Sequence, residues 1–337
     1  MRALPPELPA LGVTLPQFRQ QPAEALAALD QAHQLGFAAA VLLDHLWPLG
    51  QPGRPALECW TLLAALAARV GGGSGASRDE AGLGPEAGGG TAARRGTAAA
   101  VPPGAGRPFR LGTLVTRAGL RPPALLAHMT TTVAQVAGAP LIVGVGMGDA
   151  LNRAENEAFG LPYHQDPAKR AAELVGLVSA LRGPGVGRDV AEVWVGGTGH
   201  RARGLAGRLA DAWNGWAMTP EELAAALAEV RHAAEDGGRD PAEVAGTWGG
   251  QVLVGEDAAE ARRLLSRWGS SRPADTVDRT VAGDPAAVAG RLAEIKQAGA
   301  EWCVVAPVGG SGAAMRALLA EAAALAPRAP RDQVDAM

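Results

Sequence analysis

The chain has 337 residues, of which 47% are hydrophobic and only 4% aromatic, and its formal charge is −3. This suits one large domain or two ordinary ones, with Ala, Leu and Val filling most of the core. No basic stripe accompanies the small negative charge, which argues against a nucleic-acid partner. The opening MRALPPELPALGVTLP lacks the basic and long apolar regions of a signal peptide. The longest apolar helical run, ALECWTLLAALAARV, is too short for a bilayer and carries Glu58. Two cysteines, Cys59 and Cys303, make neither a disulfide framework nor a metal cluster. The expectation is a soluble, cytoplasmic protein with no membrane contact and no bound metal.

In chain order, the first β-type run is ALGVTLP (10–16). Helical spacing follows over 22–36, with Pro22 in the first turn and Gly36 as the stop. AAAVLLD (38–44) is the second strand, and the apolar run 56–70 is the second helix. RLGTLV (110–115) and PLIVGVG (140–146) follow, separated by a helix over 121–138; a helix over 166–183 leads to AEVWVGG (191–197). After DAWNGW (211–216), Thr219-Pro220-Glu221-Glu222 opens a helix with a cap, a proline and two acids that satisfy free N–H groups and the helix dipole. GGQVLVG (249–255), a helix over 283–300 and EWCVVAP (301–307) complete the series. Most of these strands are apolar throughout, as strands buried on both faces are. Eight strand–helix units predict a (β/α)8 TIM barrel forming one domain over 1–330, with 331–337 as a flexible tail. A doubly wound sheet is the alternative.

One segment, 71–107, is rich in Gly, Ala and Pro with scattered charges and no periodicity. It cannot bury enough apolar surface to offset the entropy of ordering it, so a disordered insertion is expected between the second helix and the third strand. In a barrel this is the N-terminal face, away from the catalytic end.

Function is then sought at the strand C-termini. VWVGGTGHRARGLAGRLADAWN is the clearest anion site: a strand ends in Gly196-Gly197-Thr198-Gly199, and a helix begins. Glycines let backbone N–H groups approach a phosphate, and the helix N-terminus adds its dipole. A tight turn without a ligand has the same composition. GVGMGDALNRAENEAFG is a second glycine-rich turn, but Asp149 stands where a dinucleotide fingerprint needs its last glycine. Asp44-His45 is either an acid–base pair or the polar end of a strand. Adjacent strand residues point to opposite sides, so spacing alone favours the structural role. Glu58 reads better as a first-turn dipole partner than as a pocket residue. Tryptophans 47, 213, 216 and 248 suit ring stacking and core packing equally.

Taken in order, TLP (14–16), DHLWPLG (44–50), LECWTLLAALAA (57–68), LGTLVTRAGLRPPALLAHMTTT (111–132), GVGMGDALNRAENEAFGLP (144–162), VWVGGTGHRARGLAGRLADAWN (193–214), WGGQVLVG (248–255) and AGAEWCVVAP (298–307) resemble the luciferase-like monooxygenase superfamily. Within it they look most like the oxidoreductases that use the deazaflavin coenzyme F420. The resemblance implies a flavin or deazaflavin at the C-terminal end of the barrel. His45 would lie near the reactive edge of the ring, with Asp44 beside it, as the catalytic candidates. Thr113, Leu114, Val115 and Thr116 would pack against one ring face, with a non-proline cis peptide somewhere within 114–116. Gly146, Met147, Gly148 and Asp149 would meet the ribityl chain or the far side of the ring, and Gly196, Gly197 and Thr198 would hold the phosphate. Gln17, Trp47 and Trp216 would line the substrate pocket, and Arg117 would stand in a variable loop. The implied activity is hydride transfer to or from a small organic substrate by a homodimer. An FMN-dependent monooxygenase and a non-catalytic flavin-binding barrel are the alternatives.

Overall fold

The structure, a computed structural model, describes residues 9–48, 50–73 and 109–325. The expected insertion from residue 74 onward and the expected tail 331–337 lie outside the described residues. Among the described residues nine strands form: β1 (Ala10–Thr14), β2 (Ala39–Leu42), β3 (Arg110–Arg117), β4 (Leu141–Gly146), β5 (Ala191–Gly196), β6 (Ala212–Trp216), β7 (Ala245–Val254), β8 (Val281–Gly283) and β9 (Ala300–Pro307). Strands β1 to β7 pair in parallel in sequence order, and β9 joins β7 back to β1, closing an eight-stranded TIM barrel. Strand β8 is an addition to this ring. It pairs with Val252, Leu253 and Val254, beyond the part of β7 that pairs with β6.

Eleven α-helices are described: α1 (Ala23–Gln34), α2 (Cys59–Gly73), α3 (Pro123–Ala137), α4 (Arg153–Ala158), α5 (Pro167–Leu181), α6 (His200–Leu209), α7 (Pro220–Asp236), α8 (Ala258–Gly269), α9 (Ala274–Asp278), α10 (Pro285–Gln297) and α11 (Gly312–Leu325). Local chemistry sets several of their starts. Asp166 and Asp284 cap α5 and α10 just before a proline, and Thr219 and Glu222 form a reciprocal capping box at α7.

Alternate strand residues serve two cores, which is why the strands read as unbroken apolar runs. Ala39, Val41, Leu114, Ile142, Trp194, Ala212, Trp302 and Val304 fill the barrel interior. Their neighbours Ala40, Leu42, Val143, Val193, Cys303 and Val305 pack outward with the helices. Inside, Trp194 and Trp302 meet edge to face at 5.7 Å. Two indoles in one small barrel require small partners, and Ala10 and Gly12 of β1, Ala39 of β2 and Ala212 of β6 supply them.

The structure moves two boundaries read from sequence and adds one strand. Strand β7 starts at Ala245 rather than 249. Its glycine-rich start resembles a loop, yet a Cβ on Gly246 would lie 2.7 Å from the Gly299 carbonyl oxygen, so close packing demands glycine there. Helix α2 runs through Gly71 to Gly73, which had been counted with the insertion. A Cβ on Gly71 would sit 2.2 Å from the Val136 carbonyl oxygen of α3, so this glycine marks a close helix approach. Strand β8 was missed because three residues carry no readable period. Among the described residues, no helix is long and apolar enough to cross a membrane, and no group of three or more His, Cys, Asp or Glu could hold a metal. Cys59 and Cys303 are both buried and free.

A paired substitution tests this packing. An added Cβ on Gly112 would lie 2.1 Å from the Ile142 carbonyl oxygen, an atom that cannot rotate away, whereas Gly176 in α5 has nothing within 4 Å. In urea denaturation, Gly112→Ala is expected to lower stability by about 2–3 kcal/mol. Gly176→Ala is expected to raise it by about 0.5–1 kcal/mol.

Candidate active site

The C-terminal ends of β2 to β6 form the candidate site. Gln17, on the loop after β1, ties down the segment that follows β2. Its Oε1 accepts from Leu43 N–H at 2.9 Å, and its Nε2 donates to the Leu57 carbonyl at 3.0 Å and, weakly, to that of His45 at 3.5 Å. It is buried and fully engaged in holding loops together.

Past this anchor the chain has left the strand, and Asp44 and His45 diverge to different partners. Asp44 is 1% exposed. Its Oδ2 accepts from Thr116 Oγ1 at 2.5 Å and Arg121 NH1 at 2.7 Å, and its Oδ1 accepts from Arg121 NH2 at 3.1 Å. Arg121 also pairs with Glu58. Glu58 in turn accepts the backbone N–H groups of Trp60 (3.2 Å) and Thr61 (2.7 Å), so the expected first-turn role holds alongside an ion pair that sequence did not disclose. His45 turns instead to Glu155 on α4, with Nδ1 3.2 Å from Oε2. Glu155 is 0% exposed. Its Oε1 also accepts from the backbone N–H of Leu46 and, at 3.4 Å, of Trp47. Arg117 closes the network: NH2 lies 3.2 Å from Glu155 Oε2, NH1 donates to Asn156 Oδ1 at 2.9 Å, and Nε donates to the Asp44 carbonyl at 3.2 Å. Arg117 is thus the buried last residue of β3, not part of a variable loop.

These contacts set the electrostatics. Burial opposes the charge on Glu155, but the hydrogen bonds from His45 and Leu46 and the nearby Arg117 outweigh it and hold the carboxyl below its usual 4.5. Burial likewise opposes the Glu58 charge, and its first-turn hydrogen bonds with Arg121 again bring it below normal. Arg117 is pushed down by burial. Arg121 also loses hydration on burial, yet its bond to Asp44 raises it above its ordinary value.

Beside this network, β3 carries a non-proline cis peptide between Leu114 and Val115, inside the expected interval, with a register shift against β4 between Thr113 and Thr116. The Thr113 and Thr116 hydroxyls are spent internally: Thr113 donates to the Gly144 carbonyl at 3.1 Å, and Thr116 accepts from Trp60 Nε1 at 2.9 Å while donating to Asp44. Leu114 belongs to the barrel interior. Val115 remains partly exposed and lies across the ends of the next two strands. A Cβ on Gly146 would come within 2.6 Å of Val115 Cγ2, and one on Gly196 within 2.6 Å of Cγ1. These glycines therefore make room for a β-branched ridge.

The β4 turn passes through Met147 and Gly148, the latter at φ 65°, to Asp149. Asp149 caps a short 3₁₀ turn reciprocally with Asn152: its Oδ1 accepts from Leu151 N–H at 2.9 Å, and Asn152 Oδ1 accepts from Asp149 N–H at 2.9 Å. After β5, Gly197 adopts φ 135°, Thr198 is exposed, and Gly199 starts α6 with no side-chain cap. Trp213 Nε1 donates to the Gly197 carbonyl at 2.9 Å and fixes the turn from beneath. The first N–H groups of α6 thus lack the side-chain acceptors that cap α5, α7 and α10.

The four tryptophans separate cleanly. Trp213 and Trp248 are core residues. Trp47 and Trp216 remain partly exposed at the mouth, and Trp47 meets Phe159 at 5.7 Å. Around α4 the usual polarity is inverted. Glu155 and Asn156 are buried, while Leu151 is 66% and Phe159 52% exposed. This inversion is the signal by which Glu155 could have been found. A carboxylate among arginines and amides otherwise reads as surface.

Two measurements test the network. Asp44→Ala strips Arg121 of its buried partner and is expected to cost about 3–5 kcal/mol in denaturant melts. Asp30→Ala, which breaks an exposed pair with Arg69, should leave stability nearly unchanged. The depressed Glu155 carboxyl contributes stability that is present above pH 4.5 and lost as pH falls toward its lower folded value. Melts at a series of acid pH values should therefore give a flatter acid limb in Glu155→Gln than in the wild type.

Against known proteins, this fold matches an F420-dependent secondary alcohol dehydrogenase in complex with an F420-acetone adduct at TM-score 0.71 and 17% identity, covering 94% of this chain and 99% of that one. It matches riboflavin lyase with modified FMN and substrate riboflavin at TM-score 0.65 and 13% identity, covering 94% and 90%. At such identities the likeness concerns the fold alone. In sequence, a phthiodiolone/phenolphthiodiolone dimycocerosates ketoreductase of Mycobacterium kansasii is 32% identical over 185 residues, 48% of this chain. The match spans about half the length of that relative, 49%. The luciferase-like monooxygenase family model matches residues 97–280, more than half of the chain, and the chain belongs to that family.

Proposed function

We propose that this chain is an F420-dependent oxidoreductase that moves a hydride between the deazaflavin and a carbonyl or secondary alcohol carried on an apolar substrate. The observation that carries this reading is the Val115 ridge between two obligatory glycines. It offers a smooth apolar support of the kind a flat ring needs, on the strand next to the one that leads into His45. Gly197, Thr198 and the uncapped start of α6 suit the phosphate of such a cofactor, with Gly196 beside them. Met147, Gly148 and Asp149 would follow the polyol chain, next to Gly146. A deazaflavin bound there supplies two-electron hydride chemistry.

The chain's own residues have separate tasks. His45 is 21% exposed in its side chain and is the residue suited to hydrogen-bond the substrate oxygen and to give or take its proton. Asp44, fully enclosed, holds the loop through Thr116 and Arg121. Trp47 and Phe159, with Leu151 nearby in sequence, present an apolar flank, and Trp216 supplies a further wall. The reading agrees with the ketoreductase named for the mycobacterial relative and with the secondary alcohol dehydrogenase named for the structural neighbour.

Titration of the full chain with F420 and with FMN, followed by apolar secondary alcohols, tests the proposal. The expected result is F420 binding and bleaching of the deazaflavin absorbance by an alcohol. His45→Ala should lower kcat by about 10²–10⁴-fold with cofactor affinity little changed. Gly196→Ala, which pushes Val115 out of place, should weaken F420 binding. Uptake of FMN with no uptake of F420 would overturn the reading.

A further inference from the structure

We propose that Glu155 is the positioning residue for His45: it dictates that Nδ1 carries the proton, so that the neutral ring keeps its free lone pair on Nε2. Glu155 is wholly enclosed, so it cannot touch a substrate itself. Its two oxygens are committed to three hydrogen-bonding groups and one ion pair, with Leu46 N–H and Trp47 N–H on Oε1, His45 Nδ1 on Oε2 and the Arg117 guanidinium beside Oε2. An ionised carboxylate only accepts hydrogen bonds, so Nδ1 must be the donor in this contact. The opposite neutral tautomer would set the Nδ1 lone pair against Oε2. Among the described residues no hydrogen-bond partner engages Nε2, and the side chain as a whole is 21% exposed.

The same carboxylate also fixes where the ring stands. Its bonds to the two residues after His45 pin the backbone, and Arg117, braced by Asn156 and the Asp44 carbonyl, keeps Oε2 from rotating away. A pinned backbone, a fixed carboxylate and one permitted tautomer together leave His45 a single presentation.

The consequence for turnover rests on the proposed hydride chemistry, whereas the tautomer assignment rests on geometry alone. Full-length protein labelled with ¹⁵N-histidine, observed in long-range ¹H–¹⁵N spectra at mildly alkaline pH, tests the assignment. The His45 signals are identified by their loss in His45→Ala. The wild type should show the Nδ1–H form. In Glu155→Gln the amide can donate to Nδ1, and the ring should move toward the Nε2–H form. Glu155→Asp, which stays ionised, should retain more of the Nδ1–H form than the glutamine variant. With F420 and an alcohol, Glu155→Gln should lose about 10²-fold in kcat with KM and cofactor affinity little changed. An Nε2–H ring in the wild type overturns the proposal even if the variants fail to fold. An unchanged tautomer in folded Glu155→Gln, or unchanged kcat, also overturns it. Failure of the wild type to bind F420 would count against the cofactor reading and leave the tautomer result standing.

Discussion

Two buried carboxylates, Asp44 and Glu155, govern the C-terminal end of this barrel. Taking an ionised carboxylate out of water costs several kcal/mol unless charge and hydrogen bonds replace its hydration. Both are fully compensated. Asp44 draws Thr116 and Arg121, and Glu155 draws His45, Arg117 and two backbone N–H groups. Each bond joins parts of the chain far apart in sequence. The loop after β2 is thereby fastened to β3, to the segment before α3 and to α4. Removal of Glu155 leaves Arg117 without its carboxylate, and removal of Asp44 leaves Arg121 with Glu58 alone, so the site and the local fold stand together.

A second constraint is steric. The ends of β3, β4 and β5 lie close enough that the Val115 side chain spans all three, and it fits only because positions 146 and 196 lack a Cβ. On the neighbouring turn, Trp213 holds the Gly197 carbonyl from below, leaving the start of α6 without a side-chain cap. The floor of the mouth is therefore shaped by what is absent from two strands as much as by what is present on the third. The polar clamp of Asp44 and Glu155 borders the same floor on the β2 side.

Much of the architecture was legible in the chain. Strands buried on two faces must be apolar throughout, and eight such runs separated by helix-length segments allow few closures. Prolines and capping acids marked several helix starts, and glycine-rich strand ends marked the turns of the candidate site. The misses share a cause. The start of β7 and the end of α2 are glycine-rich for close packing against Gly299 and α3, and glycine looks like loop where the partner cannot be seen. Gln17, expected at the substrate pocket, and Thr116, expected at the ring face, were placed there by the family resemblance; the fold shows that both are buried and bonded internally.

The order of apolar runs by itself predicted the barrel and put His45 at the C-terminal ends of its strands. Only the tertiary structure decided the partners. Asp44 and His45 are neighbours in the chain, yet one faces Arg121 and the other Glu155, which lies 110 residues from His45. No local period encodes that choice, because the energy of a buried charge depends on which distant donors reach it once the barrel closes.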